Sequence, residues 1–445
     1  MNDDVEQQAF WQQVEWALGE IEGGDLPPDV TSRVMAAVQG DGFAASPIVS
    51  RSRWLTGAAM VVLCAGAVVG VRVLSRASAD AVHHEGLQDP GTPDQHAGAH
   101  VLEPGTDVAS LPSDAREVTV VHQGDDVLQQ LARQCPRLER LTVVSLGDVS
   151  SSPTDRVFEI AASLTGLRQL HLIKPIAITG NGIERLRDLP MLESLALAST
   201  TLTPQSFEAF PRLPSLRVLD LSYTGGLDDD AMRAVARCPG LRQLSIPGCK
   251  DITAEGLALV AHLTGLETLE ARQLKCSFDA LRIDRLTRLE VLDSADAAFS
   301  AVFVDRLPPS LTELTLSGTA LDDDGCRVLR ERLPRLRSLR VGSTGIGDRG
   351  IAELSALPDL GELDLGRCPN LTAACLDELA HSDRICRLGL GGLSWLRLAD
   401  VQRLMARGID VDASGSGARV EAEIAPLRGR YRSAIAARAT RNEQR

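Results

Sequence analysis

Between Leu216 and Leu269 one pattern is written three times: Leu216-x-x-Leu219-x-Leu221, Leu241-x-x-Leu244-x-Ile246 and Leu266-x-x-Leu269-x-Ala271, at a spacing of 25 residues. Within each copy the last two apolar positions alternate, as on a strand with one face in a core. A turn and then a helical pattern follow before the next leucine. A single strand–turn–helix unit of this size cannot bury its own apolar face. Stacked copies can, and the product is an α/β solenoid with a parallel sheet on one side and helices on the other. This constraint excludes an ordinary closed globular core for most of the chain.

The leading leucines recur at Leu138, Leu167, Leu192, Leu216, Leu241, Leu266, Leu289, Leu311, Leu336 and Leu360, with Ile385 starting the last clear copy. Arg116 to Val121 reads as a first, capping strand, and Ile409 with Val411 as a degenerate last one; eleven to thirteen strands are expected. A small residue turns the chain after each strand at Thr200, Thr224, Cys249, Thr319, Thr344 and Cys368. A helix N-cap follows at Thr203, Asp228, Thr253, Asp322 and Thr372, where a side-chain oxygen accepts from the first free N–H groups. The acidic triplets Asp228-Asp229-Asp230 and Asp322-Asp323-Asp324 fall in this register, which makes them helix-start residues in preference to cation ligands. Pro190, Pro214, Pro239, Pro334 and Pro358 end the helices and set up the next strand.

Cys135, Cys238, Cys249 and Cys368 occupy repeat-equivalent places in the words QCPRL, RCPGL, PGCKDI and GRCPNL. Here the chain resembles the cysteine-containing, ribonuclease-inhibitor-like subclass of leucine-rich repeats familiar from F-box proteins. The resemblance covers roughly residues 116–412. It implies a horseshoe with a parallel inner sheet, outer helices and a binding role. Two departures mark the middle as irregular: Ala271 and Ser294 replace the last core leucine, and the spacing shortens between Leu266, Leu289 and Leu311.

Ahead of the repeats the composition changes. Residues 1–50 are acidic, with Phe10, Val14, Leu18 and Ile21 at helical spacing, and read as a short cytoplasmic helical segment. Its words LPPDVTSRVM look like the start of an F-box or the juxtamembrane segment of bacterial anti-sigma-type proteins, but an F-box needs about twice this length. Trp54 to Val71 is uncharged and apolar, and residues 54–74 are long enough to span a bilayer. About fifty residues precede the run, which sets aside the cleavable signal peptide that Ala77-Ser78-Ala79 would suggest. Gly66 and Gly70 are spaced to let two such helices pack, a possible weak self-association. Residues 75–113 read as a flexible linker whose His83, His84, His96 and His100 are solvated, 114–412 as the repeat domain, and 413–445 as an Arg-rich disordered tail or loose helix. Only Lys174, Lys250 and Lys275 are lysines, a usage suggestive of a GC-rich bacterial gene.

Chemistry is sparse. A net charge of −14 at pH 7 argues against wrapping nucleic acid. The nine cysteines contain no C-x-x-C pair, and there is no Gly-rich phosphate loop, H-E-x-x-H or nucleophile elbow. No catalytic residue, cofactor or metal is expected, and His171, His262 and His381 read as satisfied or solvated. Residues between the strand leucines should line the concave face. There Asp220, Glu270, Arg272, Asp293, Glu313, Arg340, Glu362 and Asp364 form the candidate protein-binding set, acidic toward its second half, with Ser194, Ala196, Ser222 and Ser245 as small spacers. The expected function is membrane-anchored, non-enzymatic protein recognition, with the N-terminus cytoplasmic and the repeats outside. The alternatives are a regulator whose N-terminal segment sequesters a transcription factor, with the repeats as sensor, and an F-box-like soluble adaptor.

Overall fold

A computed structural model describes residues 99–145, 152–175, 177–416 and 418–443. The expected N-terminal helical segment, the apolar run 54–74 with Gly66 and Gly70, and most of the linker lie outside the described residues. The described part belongs to one compact unit beginning at Ala97.

Its strands form one parallel sheet of fourteen, each paired with its sequence neighbours. In order they are β1 (His100–Leu102), β2 (Glu117–Val121), β3 (Arg140–Val144), β4 (Gln169–Ile173), β5 (Ser194–Ala198), β6 (Val218–Asp220), β7 (Gln243–Ser245), β8 (Thr268–Glu270), β9 (Val291–Asp293), β10 (Glu313–Thr315), β11 (Ser338–Arg340), β12 (Glu362–Asp364), β13 (Arg387–Gly389) and β14 (Asp410–Asp412). The central leucines lie in one register row, Leu141, Leu170, Leu195, Leu219, Leu244, Leu269, Leu292, Leu314, Leu339, Leu363 and Leu388. All are buried, and each removes an apolar side chain worth roughly 2 kcal/mol from water.

Each strand leaves the sheet the same way. Four residues after the central core position the backbone turns left-handed at His122, Lys174, Ser199, Tyr223, Gln273, Asp296, Ser343 and Arg367, with φ between 53° and 59°. Gly248, Gly318 and Gly392 take the same place. At Gly248 a Cβ would come within 2.3 Å of the Tyr223 ring, so this repeat needs glycine both for its φ and for the side chain lying across it.

The small residue after the strand is also a hydrogen-bond donor. Thr200, Thr319 and Thr344 donate to the carbonyl of their own strand end (2.7, 2.6 and 2.7 Å). Cys249 and Cys368 reach back one repeat, to the carbonyls of Leu221 (3.1 Å) and Val341 (3.3 Å). Burial pushes the thiols of Cys238, Cys249 and Cys375 up to about 12 and raises that of Cys326 as well, so they stay protonated. The eight described cysteines are all free.

The acidic triplets divide into three tasks. Asp228 and Asp322 cap their own helices, accepting from Ala231 N–H and Gly325 N–H (both 2.9 Å). Asp229 and Asp323 reach forward to the next repeat: Asp229 accepts from the N–H and hydroxyl of Thr253 (2.9 and 2.6 Å), Asp323 from Gly347 N–H and Gly350 N–H (2.7 and 3.0 Å). Asp125, Asp155, Asp279 and Asp348 repeat the forward reach. The third members, Asp230 and Asp324, pair with Arg233 and Arg349 on the surface. Thr372 accepts from Ala374 N–H in a turn, and its helix starts only at Cys375.

The irregular middle does not break the sheet. Ser294 is buried and donates to Thr315 O (3.3 Å), while in the same repeats Phe303 meets Phe278 edge to face (5.6 Å between ring centres) and Phe299 at a tilt (5.2 Å). Large aromatics there supply volume that Ala271 and Ser294 do not.

Two expected boundaries are corrected. Residues 100–111 are part of the domain, not linker. His100 sits in β1, which pairs with β2, and Leu102, Val108 and Leu111 are buried. Of the two forms expected for the Arg-rich tail, disordered or helical, the structure has the helix, Ala418–Glu443 with Pro426 inside it, and it is packed on the domain. Val420, Ile424 and Leu427 are buried, and Arg438, 7% exposed, donates to the carbonyls of Ile385 (2.8 Å), Arg407 (3.0 Å) and Ser382. Gly408, at φ +85°, lets this helix approach: a Cβ there would meet the Ala434 carbonyl at 2.6 Å. Both corrections have one cause. The end repeats of a stack expose their cores, and terminal elements atypical of the repeat must cover them.

Candidate functional site

The helix-free face of the sheet carries two register rows beside the buried leucines. One row runs His171, Ala196, Asp220, Ser245, Glu270, Asp293, Thr315, Arg340, Asp364, Gly389 and Asp412. The other runs Gln169, Ser194, Val218, Gln243, Thr268, Val291, Glu313, Ser338, Glu362, Arg387 and Asp410.

Of the sequence-predicted set, Asp220, Glu270, Asp293, Arg340 and Asp364 share the first row. Glu313 and Glu362 stand on the second, and Arg272 lies just beyond β8, its carbonyl accepting from Gly248 N–H (3.0 Å). The acids of this set gather toward the second half of the sheet: only Asp220 precedes β8, and Glu270 and Asp293 on β8 and β9 are followed by Glu313, Glu362 and Asp364. Beyond β10 arginines dilute the charge: Arg340 interrupts the first row, and Arg387 pairs with Glu362, which also accepts from Ser338 (3.5 Å).

The aspartates have a structural task with one oxygen each. Asp220, Asp293, Asp364 and Asp412 accept, through Oδ1, the N–H two residues on, at 2.8, 3.1, 3.0 and 3.1 Å. This side-chain turn closes the strand exit. Glu270 makes no such turn; its Oε2 lies 2.7 Å from Ser245 Oγ. Neighbouring strands lie ~5 Å apart, so Glu270 and its register partner Asp293 stand side by side, a destabilising pairing of like charges. Burial raises both carboxyls above the ordinary range. At Glu270 the neighbouring Asp220 and Asp293 add to the rise, against Ser245 and Arg272; at Asp293 the Ala295 N–H, Arg272 and Arg340 oppose it.

Ser222 and Ser245 are more than spacers. Ser222 Oγ contacts Asp220 Oδ1 and lies 3.0 Å from Ser245 Oγ, which in turn reaches Glu270. Composition hints at these small residues, but only the strand register reveals that they link two carboxylates.

His171 Nε2 lies 2.9 Å from the buried Ser194 Oγ, and burial lowers the histidine's pKa against the pull of Asp220. This resembles half of a nucleophilic dyad. The N–H groups of the flanking strands, however, are consumed by the parallel ladder, which leaves no donor pair aimed at an oxyanion. The pair is better described as a hydrogen bond satisfying a buried hydroxyl. Among the described residues no group of three or more His, Cys, Asp and Glu is placed to hold a metal, and no helix is long and apolar enough to cross a membrane.

A family model described as "Leucine Rich repeat" matches residues 212–236 and 333–355. These two stretches are similar to leucine-rich repeats, and the register above shows the same strand-and-helix unit repeated along the sheet.

Among its relatives, human tubulin-specific chaperone E is 26% identical over 255 residues, covering 54% of this chain and 47% of that protein. F-box/LRR-repeat protein 4 from Bos taurus is 27% identical over 171 residues, covering 37% of this chain and 24% of that one. The chain thus spans less than half the length of these relatives. Among solved structures, the yeast complex of Rad7 and Elc1 aligns with a TM-score of 0.48 at 19% identity, over 64% of this chain and 78% of that one.

Proposed function

We propose that this leucine-rich-repeat domain is a non-enzymatic protein-recognition scaffold whose helix-free face docks a basic protein segment. The observation that carries the reading is the half-buried group Asp220, Glu270 and Asp293 at the centre of that face, with Glu313 and Asp364 extending it. Aromatics make up 3% of the chain, so register and on-rate from charge weigh more here than deeply seated aromatic anchors. A partner rich in arginine or lysine matches this surface; nucleic acid does not.

The apolar run 54–74, uncharged from Trp54 to Val71, supports attachment to a lipid bilayer, with the N-terminus cytoplasmic and the repeats on the far side. Protease treatment of sealed vesicles tests that topology; repeats protected while the N-terminus is cut would reverse it. Gly66 and Gly70 would then be available for helix–helix contact, and loss of crosslinking in Gly66→Ile is the expected result. The docking reading is tested by titrating an octa-arginine peptide against the full chain and a Glu313→Lys/Asp364→Lys double variant. Binding weakened in the variant and by added salt is expected. Binding indifferent to both would remove the acidic face from the function. The similarity to an F-box/LRR-repeat protein favours a second reading, a substrate adaptor; recovery of the whole chain in a high-speed supernatant would support it over the anchor.

A further inference from the structure

The three oxygen–oxygen contacts across β6, β7 and β8 can be counted for hydrogens. Asp220 Oδ1 meets Ser222 Oγ, Ser222 Oγ meets Ser245 Oγ at 3.0 Å, and Ser245 Oγ meets Glu270 Oε2 at 2.7 Å. Three contacts need three hydrogens, and two hydroxyls supply two. With both carboxylates ionised, each serine donates to its own acid and the Ser222–Ser245 contact has no hydrogen. A carboxyl proton at one end completes the chain.

The end is decided by the backbone. Ser222 N–H donates to the same Asp220 Oδ1 that faces Ser222 Oγ (2.8 Å), so that oxygen is a double acceptor. The donor direction therefore runs from Glu270 Oε2–H to Ser245 Oγ–H to Ser222 Oγ–H to Asp220.

We propose that Glu270 holds a proton in the free protein and releases it when a cationic segment docks on this face, so that docking is coupled to pH. The coupling rests on the docking reading given above; the proton rests on the hydrogen count alone. The groups facing Glu270 are Asp220 from β6, Ser245 from β7, Asp293 from β9 and Arg272 beyond its own strand, with Arg340 on β11 acting on Asp293. Burial and the two neighbouring carboxylates favour the neutral form, while Ser245 and Arg272 favour the charged one; the net direction, upward, agrees with the count. A cationic group brought into the same space replaces the proton: the carboxyl O–H breaks, the proton leaves to solvent and the carboxylate pairs with the incoming charge.

The experiment uses the full chain with ¹³C-labelled glutamate, and octa-arginine as the probe. The Glu270 carboxyl resonance, assigned by its loss in Glu270→Gln, is followed through a pH titration. Calorimetry with the peptide is then run in buffers of different ionisation enthalpy. The expected result is a Glu270 midpoint above the ordinary glutamate range, moved downward in Asp220→Asn, with release of about one proton per bound peptide in the wild type and none in Glu270→Gln. A Glu270 midpoint in the ordinary range would overturn the proposal whatever the peptide does. A raised midpoint with no peptide binding would uphold the proton and overturn the docking reading instead.

Discussion

Asp323 is the sharpest test of how these repeats are joined. Its Oδ1 takes Gly347 N–H at 2.7 Å and Gly350 N–H at 3.0 Å, both from the helix start of the next repeat, Asp348–Ser355. That helix has Gly347 at its N-cap and no side-chain cap of its own, so Asp323 caps it from the preceding repeat. Asp323→Ala removes two charge-assisted bonds worth ~1.5–3 kcal/mol each, an upper bound near 6 kcal/mol. Water can reach part of this half-buried site, and lost caps typically cost about 0.5–2 kcal/mol; a net loss of about 2–3 kcal/mol is expected. Asp322→Ala, which loses one self-cap, should cost ~1 kcal/mol. Asp324→Ala, which loses only an exposed pair with Arg349, should change stability by less than ~0.5 kcal/mol. Urea unfolding of the three variants gives the order, and amide exchange at Gly347, Gly350 and Ile351 locates the effect. Equal stability of Asp323→Ala and Asp324→Ala, or unchanged exchange at Gly350, would refute the inter-repeat cap. Stabilisation of the wild type by calcium, abolished by Asp323→Ala, would restore the cation-ligand reading of the triplet.

Arg438→Ala should destabilise the C-terminal end by about 2–4 kcal/mol, because it strips a buried guanidinium from three carbonyls; accelerated proteolysis within residues 418–443 is the readout. The folded Glu270 carboxyl lies above its unfolded value, so its contribution is complete below the ordinary glutamate range and is lost as pH rises through the folded value. Glu270→Gln stays neutral and should therefore be more stable than wild type at alkaline pH, with the advantage vanishing in acid; a pH-independent difference would contradict this. Cys238, Cys249, Cys326 and Cys375, with burial-raised thiols, should resist a thiol-reactive dye at pH 8 until urea unfolds the chain, and fast native labelling of any of them would show that their repeat opens.

Much of the fold was legible because its determinants are local. The spacing of Leu216, Leu219 and Leu221 and its copies specifies a strand face whatever surrounds it, and the Asp and Thr caps act within one helical turn. What escaped sequence reading acts between repeats or at the ends of the stack. The forward reach of Asp229 and Asp323 joins residues 24–27 positions apart, and nothing in the local word distinguishes it from a second self-cap. The closing strand His100–Leu102 and the helix Ala418–Glu443 obey no repeat pattern, because their task is to cover one.

The candidate site divides the same way. The sequence by itself determined which residues face away from the core, since alternation on a strand leaves no other place for Asp220, Glu270 or Asp293. Tertiary structure alone decided which of them meet. The parallel register sets Glu270 beside Asp293 and threads Ser222 and Ser245 between it and Asp220. A row of scattered acids becomes a hydrogen-bonded unit because strands ~5 Å apart turn a 25-residue separation into one side-chain contact.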